Sequence, residues 1–135
     1  MNDGQTPSAD APIRVTLMCE NPIVCKTLGP RLAADPTLAV AGLHDCVIDR
    51  VPDALAQNPN VVILVVSRIT PFNLLICQAL RQECPALHVV ILPSYLDSPD
   101  VKQHALVSGA DVVIEKSIDT PALLEQIHAL ANHAV

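Results

Sequence analysis

Five short apolar runs punctuate the chain, at residues 13–18, 38–42, 61–66, 87–92 and 112–114. Their starts lie 25, 23, 26 and 25 residues apart, about the length of one strand, one helix and the turns joining them. The runs VVILVV (61–66) and HVVIL (88–92) are largely β-branched and apolar, without polar alternation. Strands of that kind are covered on both faces, which predicts the centre of a parallel sheet lying between two layers of helix.

Helix starts are marked by a capping residue before proline at Asn21-Pro22, Thr70-Pro71, Ser98-Pro99 and Thr120-Pro121. The side-chain oxygen accepts from free amides of the first turn, and proline suits a first position whose N–H has no partner. Behind Pro71, Leu75, Ile76, Ala79 and Leu80 form a predicted apolar face; behind Pro121, Leu123, Leu124, Ile127 and Leu130 form another. Gly109 is placed to close the fourth helix. Pro30 and Pro52 fall inside helical patterns, where proline costs about 3 kcal/mol. A kink is therefore expected at Gly29-Pro30, and a late or broken second helix beginning near Val51. Five βα units in succession predict a doubly wound α/β fold with a five-stranded parallel sheet. Ligand chemistry in such a fold belongs at the carboxyl ends of the strands.

Composition narrows the function classes. With 135 residues the chain is one domain, expected over 13–135 behind a disordered tail at 1–12. Half the residues are apolar and the aromatics are one Phe and one Tyr, so the core is aliphatic. A net charge of −6 argues against direct nucleic-acid binding. No apolar run approaches the ~20 residues that cross a membrane. The first twelve residues lack the basic start and apolar stretch of a secretion signal, so a cytoplasmic domain is expected. The five cysteines, at 19, 25, 46, 77 and 84, contain no CxxC pair and are expected as reduced thiols. Cys25, Cys77 and Cys84 fall in helical patterns and read as packing residues. His44-Asp45-Cys46 is the one tight cluster of metal-ligating types and reads as a loop after a strand. No metal and no cofactor are expected.

The segments IRVTLMCENPIV, PNVVILVVS, ALHVVILPSY and SGADVVIEKSIDTPALLEQI, in that order, resemble the receiver domain of two-component response regulators, the CheY-like superfamily. The resemblance runs from Ile13 to about Ala131 and is greatest to receivers that precede a helix-turn-helix domain. It implies the flavodoxin-like strand order 2-1-3-4-5. A receiver takes a phosphoryl group onto an aspartate ending its third strand. Mg²⁺ assists, held by that aspartate and an acidic pair after the first strand. A Ser/Thr after the fourth strand and a lysine after the fifth complete the switch. Matched by position, the acidic pair is Cys19-Glu20, the acceptor is Val65, the Ser/Thr is Pro93 with Ser94 adjacent, and the switch aromatic is Val113. Glu20 and Lys116 alone retain the family's chemistry, and they are expected to pair with each other.

Mg²⁺ requires hard oxygen ligands, commonly one or two carboxylates with water. Phosphoryl transfer is mostly positioning and charge stabilisation around a nucleophile. With one carboxylate and an alkyl group at the acceptor position, the resemblance implies a pseudo-receiver that is not an enzyme. Neither Ser67 nor Ser94 has a base in the sequence to activate it. The expected function is phosphorylation-independent protein–protein interaction in two-component signalling, with a signalling protein or a second copy as partner. A related version is the dimerising regulatory half of a transcription regulator, with the effector outside a chain that ends at Val135. Candidate contact residues are Val101, Leu106 and Val107 on the fourth helix and His128 on the fifth. The alternative is a small redox or phosphoryl-carrier protein using Cys19 as nucleophile. Glu20, Asn21 and Pro22 follow it, adding negative charge and removing a donor, so Cys19 reads instead as a buried filler.

Overall fold

The computed structural model describes residues 11–115 and 119–132. Five strands, β1 (Ile13–Cys19), β2 (Leu38–Asp45), β3 (Val61–Val66), β4 (His88–Pro93) and β5 (Val112–Val113), form one sheet in the order β2-β1-β3-β4-β5. Every pairing is parallel. The helices are α1 (Pro22–Ala33), α2 (Val51–Ala56), α3 (Pro71–Glu83), α4 (Pro99–Val107) and α5 (Thr120–Asn132), with a 3-10 turn (Ile48–Arg50) leading into α2. The doubly wound fold and the strand order expected from the sequence are what the chain adopts.

β3 shows how apolar runs become a sandwich. Val61, Ile63 and Val65 turn to one face and pack with Cys25 and Leu32 of α1 and Leu123 and Ile127 of α5. Val62, Leu64 and Val66 turn to the other face and meet Val51 and Ala54 of α2, Ile76, Cys77 and Leu80 of α3, and Ala105 of α4. Both faces are thus buried along the whole strand, which is why no polar residue interrupts it.

The helix ends follow the capping pattern with two changes. Asn21 accepts from the Ile23 amide, and Thr70 with Asn73 forms a reciprocal capping box. Ser98 makes no side-chain cap. α5 begins one residue earlier than Thr120-Pro121 predicts, because Asp119 caps it by accepting from the Ala122 amide at 2.8 Å. On α3 Leu75 points to solvent and Cys77 takes its place in the core, so the buried stripe is Asn73, Ile76, Cys77 and Leu80.

α1 runs as one helix across Gly29-Pro30 to Ala33. Pro30 and Lys26, four residues before it, both lie on the exposed side, so the carbonyl left without a donor can face water. The second helix starts at Val51 behind the 3-10 turn, as Pro52 predicts. Beyond α4, Gly109 adopts φ +122°, and a Cβ there would lie 3.1 Å from Arg81 Cβ and 3.3 Å from the Cys77 carbonyl oxygen. The Gly-Ala-Asp segment of the resemblance is therefore structural. The Asp111 carboxylate accepts from the Val89 amide and from Arg81, both at 2.7 Å, and Arg81 also donates to the carbonyls of Pro85, Leu87 and Gly109.

The largest departure concerns the thiols. Cys19 at the end of β1 and Cys25 in α1 form a disulfide, where five reduced thiols were expected. The turn Glu20-Asn21 folds the first turn of α1 back over the strand end and brings the two Cα atoms to 5.9 Å, within disulfide range. Cys46 and Cys77 are buried free thiols and Cys84 is half-buried.

Candidate functional site

The carboxyl ends of β1, β3 and β4 meet in register, with Cys19 beside Val65 and Val66 beside Pro93. This places Cys19, Glu20, Val65, Pro93 and Ser94 at adjoining strand ends. An alkyl group stands at the acceptor position, where Val65 and Leu92 form the floor of a cavity of about 240 Å³ walled by Ile23, Val24 and Thr27 of α1 and Leu123 of α5. Val65 is 3% exposed, with its side chain in the α1/α5 core. The Glu20 carboxylate turns across the strand ends and accepts from the Ser67 amide at 2.7 Å, while the Glu20 amide donates to the Val65 carbonyl at 3.0 Å. Cys19 is 1% exposed and its sulfur is in the disulfide, so it is not a free nucleophile. Val113 is buried on the opposite face of the sheet from Val65 and Cys19. Lys116, and with it the expected ion pair to Glu20, lies outside the described residues, as does most of the predicted tail.

These side chains do not fit a divalent cation. One carboxylate is present, one of its oxygens already holds an amide, and its neighbours are an alkyl group and an oxidised sulfur. Among the described residues no cluster of three His, Cys, Asp or Glu side chains could hold a metal ion. The His44-Asp45-Cys46 stretch is not a loop: β2 continues through Asp45, so His44 and Asp45 alternate across the strand.

A second set of contacts ties the β3–α3 turn to the turn after β4. The Ser94 amide donates to the Val66 and Ser67 carbonyls, and the Tyr95 amide donates to the Ser67 carbonyl, each at 3.0 Å. Arg68 pairs with Asp97 at 3.2 Å, and its guanidinium carbon lies 5.6 Å from the centre of the Tyr95 ring. Both partners of the ion pair are exposed, so it adds little alone, but it lies over a turn already pinned by backbone bonds. Sequence reasoning missed both this clamp and the disulfide. The disulfide had a readable signal in two cysteines six apart, one ending a strand and one in the next helix's first turns.

The four predicted contact residues separate. Val107 is 78% exposed. Val101 and Leu106 are half-buried against the α3/α4 core, because α4 turns that side to the sheet. His128 is on the other face of the molecule, with Nε2 2.9 Å from Thr37 Oγ1 and 4.0 Å from Asp35. Other exposed apolar residues lie at the carboxyl end of the sheet, among them Ile23 at the start of α1, Val47 and Ile48 after β2, Phe72 (76%) at the start of α3, and Tyr95 (63%) after β4.

No protein-family model matches the sequence, and no curated protein does. Solved structures do. The signal receiver domain of the response regulator NarL from Mycobacterium tuberculosis superposes with a TM-score of 0.79 at 19% identity, over 90% of this chain and 98% of that one. The fold is that of a response-regulator receiver domain. A LuxR-family two-component response regulator from Aurantimonas gives 0.78 at 21% identity, over 91% and 87%. RcsB from Salmonella enterica, bound to promoter rprA with phosphomimetic BeF3⁻, gives 0.74 at 14% identity, over 91% of this chain and 64% of that one. No helix among the described residues of this receiver fold is long and apolar enough to cross a membrane.

Proposed function

We propose that the chain is a pseudo-receiver, a regulatory protein-interaction module whose conformation is set without phosphoryl transfer. The observation that carries this reading is the chemistry of the strand ends, where Val65 stands buried at the acceptor position and Glu20 is spent on the Ser67 amide. Among the described strand-end residues there is neither a carboxylate at the acceptor position nor a cluster fit for a cation, and phosphoryl transfer to a receiver needs both. The bonds joining Ser67 to Ser94 and Tyr95 support a single state, because they tie together the two turns that a phosphate would otherwise bridge. The output is then a surface. The chain's only phenylalanine and only tyrosine are both exposed at the sheet's carboxyl end, and aromatic residues are enriched in interfaces. Val107 adds a separate exposed position on α4. The likeness to a promoter-bound regulator, in which this fold makes up part of the chain, supports the version in which the module is the regulatory half of a transcription regulator.

The test is incubation with Mg²⁺ and either acetyl phosphate or beryllofluoride, followed by intact mass and amide NMR spectra. Unchanged mass and unchanged shifts at Ser67, Ser94 and Tyr95 are expected. An aspartyl- or glutamyl-phosphate, or movement of those amides at saturating beryllofluoride, refutes the proposal.

A further inference from the structure

The disulfide does more than fill the space left by a lost acidic residue. Cys25 is the fourth residue of α1 and lines a cavity of about 340 Å³ together with Pro22, Lys26, Leu43, His44, Asp45 and Arg50. Cys19, its partner, is sealed in the core beneath. Both cysteines are buried, but Cys25 borders an opening and Cys19 does not, the asymmetry of an attacked and a leaving sulfur. The charges facing the cavity are Lys26 from α1, Asp45 from β2 and Arg50 from the 3-10 turn, with Arg50 also paired to Asp53 at 3.0 Å. Lys26 beside Cys25 and the amino-terminal end of α1 both favour an anionic reagent approaching Cys25.

We propose that Cys19 and Cys25 are an exchangeable thiol–disulfide pair, opened and closed by an anionic low-molecular-weight thiol and its disulfide through this cavity. In the opening direction the reagent thiolate bonds to Cys25 Sγ, the Cys19–Cys25 bond breaks, and the Cys19 sulfur leaves with the electron pair and takes a proton. A second reagent thiolate then attacks the mixed disulfide, releasing reagent disulfide and the Cys25 thiol. The protein disulfide plus two reagent thiols becomes two protein thiols plus one reagent disulfide, and the reverse sequence closes the pair. Cys46 and Cys77 stay out of the exchange. Burial pushes the thiols of Cys46 and Cys77 up to about 12, and Cys46 packs on the opposite face of the sheet from Cys19. Opening removes the covalent tie across Glu20-Asn21, the turn whose carboxylate holds the Ser67 amide and whose amide side chain caps α1. The assignment goes beyond the interaction reading and does not depend on it.

Native protein is equilibrated in glutathione/glutathione-disulfide mixtures, alkylated, and mapped by peptide mass, with glutathione as the probe. Cys19 and Cys25 should become labelled together as glutathione rises, without denaturant, and their labelling should reverse with glutathione disulfide. In Cys19→Ser the mixed disulfide should accumulate on Cys25, whereas Cys25→Ser should leave Cys19 unmodified. Lys26→Glu, at an exposed position, should slow opening roughly three- to tenfold at low salt. A disulfide that opens only in denaturant, or a mixed disulfide forming on Cys19 as readily as on Cys25, overturns the proposal. The wild-type measurement decides the matter if either serine variant fails to fold.

Discussion

Restoring carboxylates at the strand ends tests the pseudo-receiver reading most severely. The perturbation is Val65→Asp and Cys19→Asp, with Cys25→Ala so that no stranded thiol remains. Because residues 19 and 65 pair across β1 and β3, the new carboxylates would flank Glu20. At 3% exposure, Val65 contributes roughly 1.5–2 kcal/mol of apolar burial, and each of the two new carboxyls without a partner costs roughly 1–3 more. Loss of the cross-link removes about 2 kcal/mol, from the closure entropy of a loop with sequence separation 6. The sum, about 5.5–10 kcal/mol, is most of the roughly 10 kcal/mol typical of a domain this size. Magnesium should return some of it. With a dissociation constant of about 1 mM, 10 mM Mg²⁺ stabilises by about 1.4 kcal/mol, or about 5 °C in melting temperature. Thermal melts of wild type and variant, with and without Mg²⁺ at matched ionic strength, read this directly. Wild type should not move. The reasoning is refuted if wild type rises by several degrees with Mg²⁺, or if the folded variant shows no rise.

Two further outcomes are expected away from the strand ends. Arg81→Ala strips donors from the carbonyls of Pro85, Leu87 and Gly109 and breaks the bridge to Asp111; a loss of about 3 kcal/mol is expected in urea unfolding, only partly recovered by Arg81→Lys because one ammonium cannot span the same acceptors. Asp35 accepts from the Thr37 hydroxyl at 2.6 Å and the Thr37 amide at 2.8 Å, which, with His128 nearby, holds its carboxyl below the 3.8 of an unperturbed aspartate. Because the folded value is depressed, its stabilisation is present above about pH 4 and lost as pH falls through the folded value. A carboxyl-carbon NMR titration should show Asp35 below 3.8 and Thr37→Val moving it upward; a wild-type midpoint at or above 3.8 contradicts the geometry.

The chain's own pattern determined the layered architecture. Runs apolar on both faces must be covered on both faces, so β3 and β4 could be placed from residue types alone, and a cap before proline located most helix starts. That residues 19 and 65 carry a sulfur and an alkyl group and no carboxylate was also legible, because side-chain chemistry is fixed by residue type wherever the residue lies. Tertiary structure decided which groups meet across the sequence. The Glu20 carboxylate reaches an amide 47 residues away, Asp111 joins β4 to α3, and α4 turns Val101 and Leu106 inward while leaving Val107 outside. The Cys19–Cys25 bond belongs to this second class despite its short spacing. Disulfide formation depends on where two Cβ atoms point, and that was set when the first turn of α1 folded back over the end of β1.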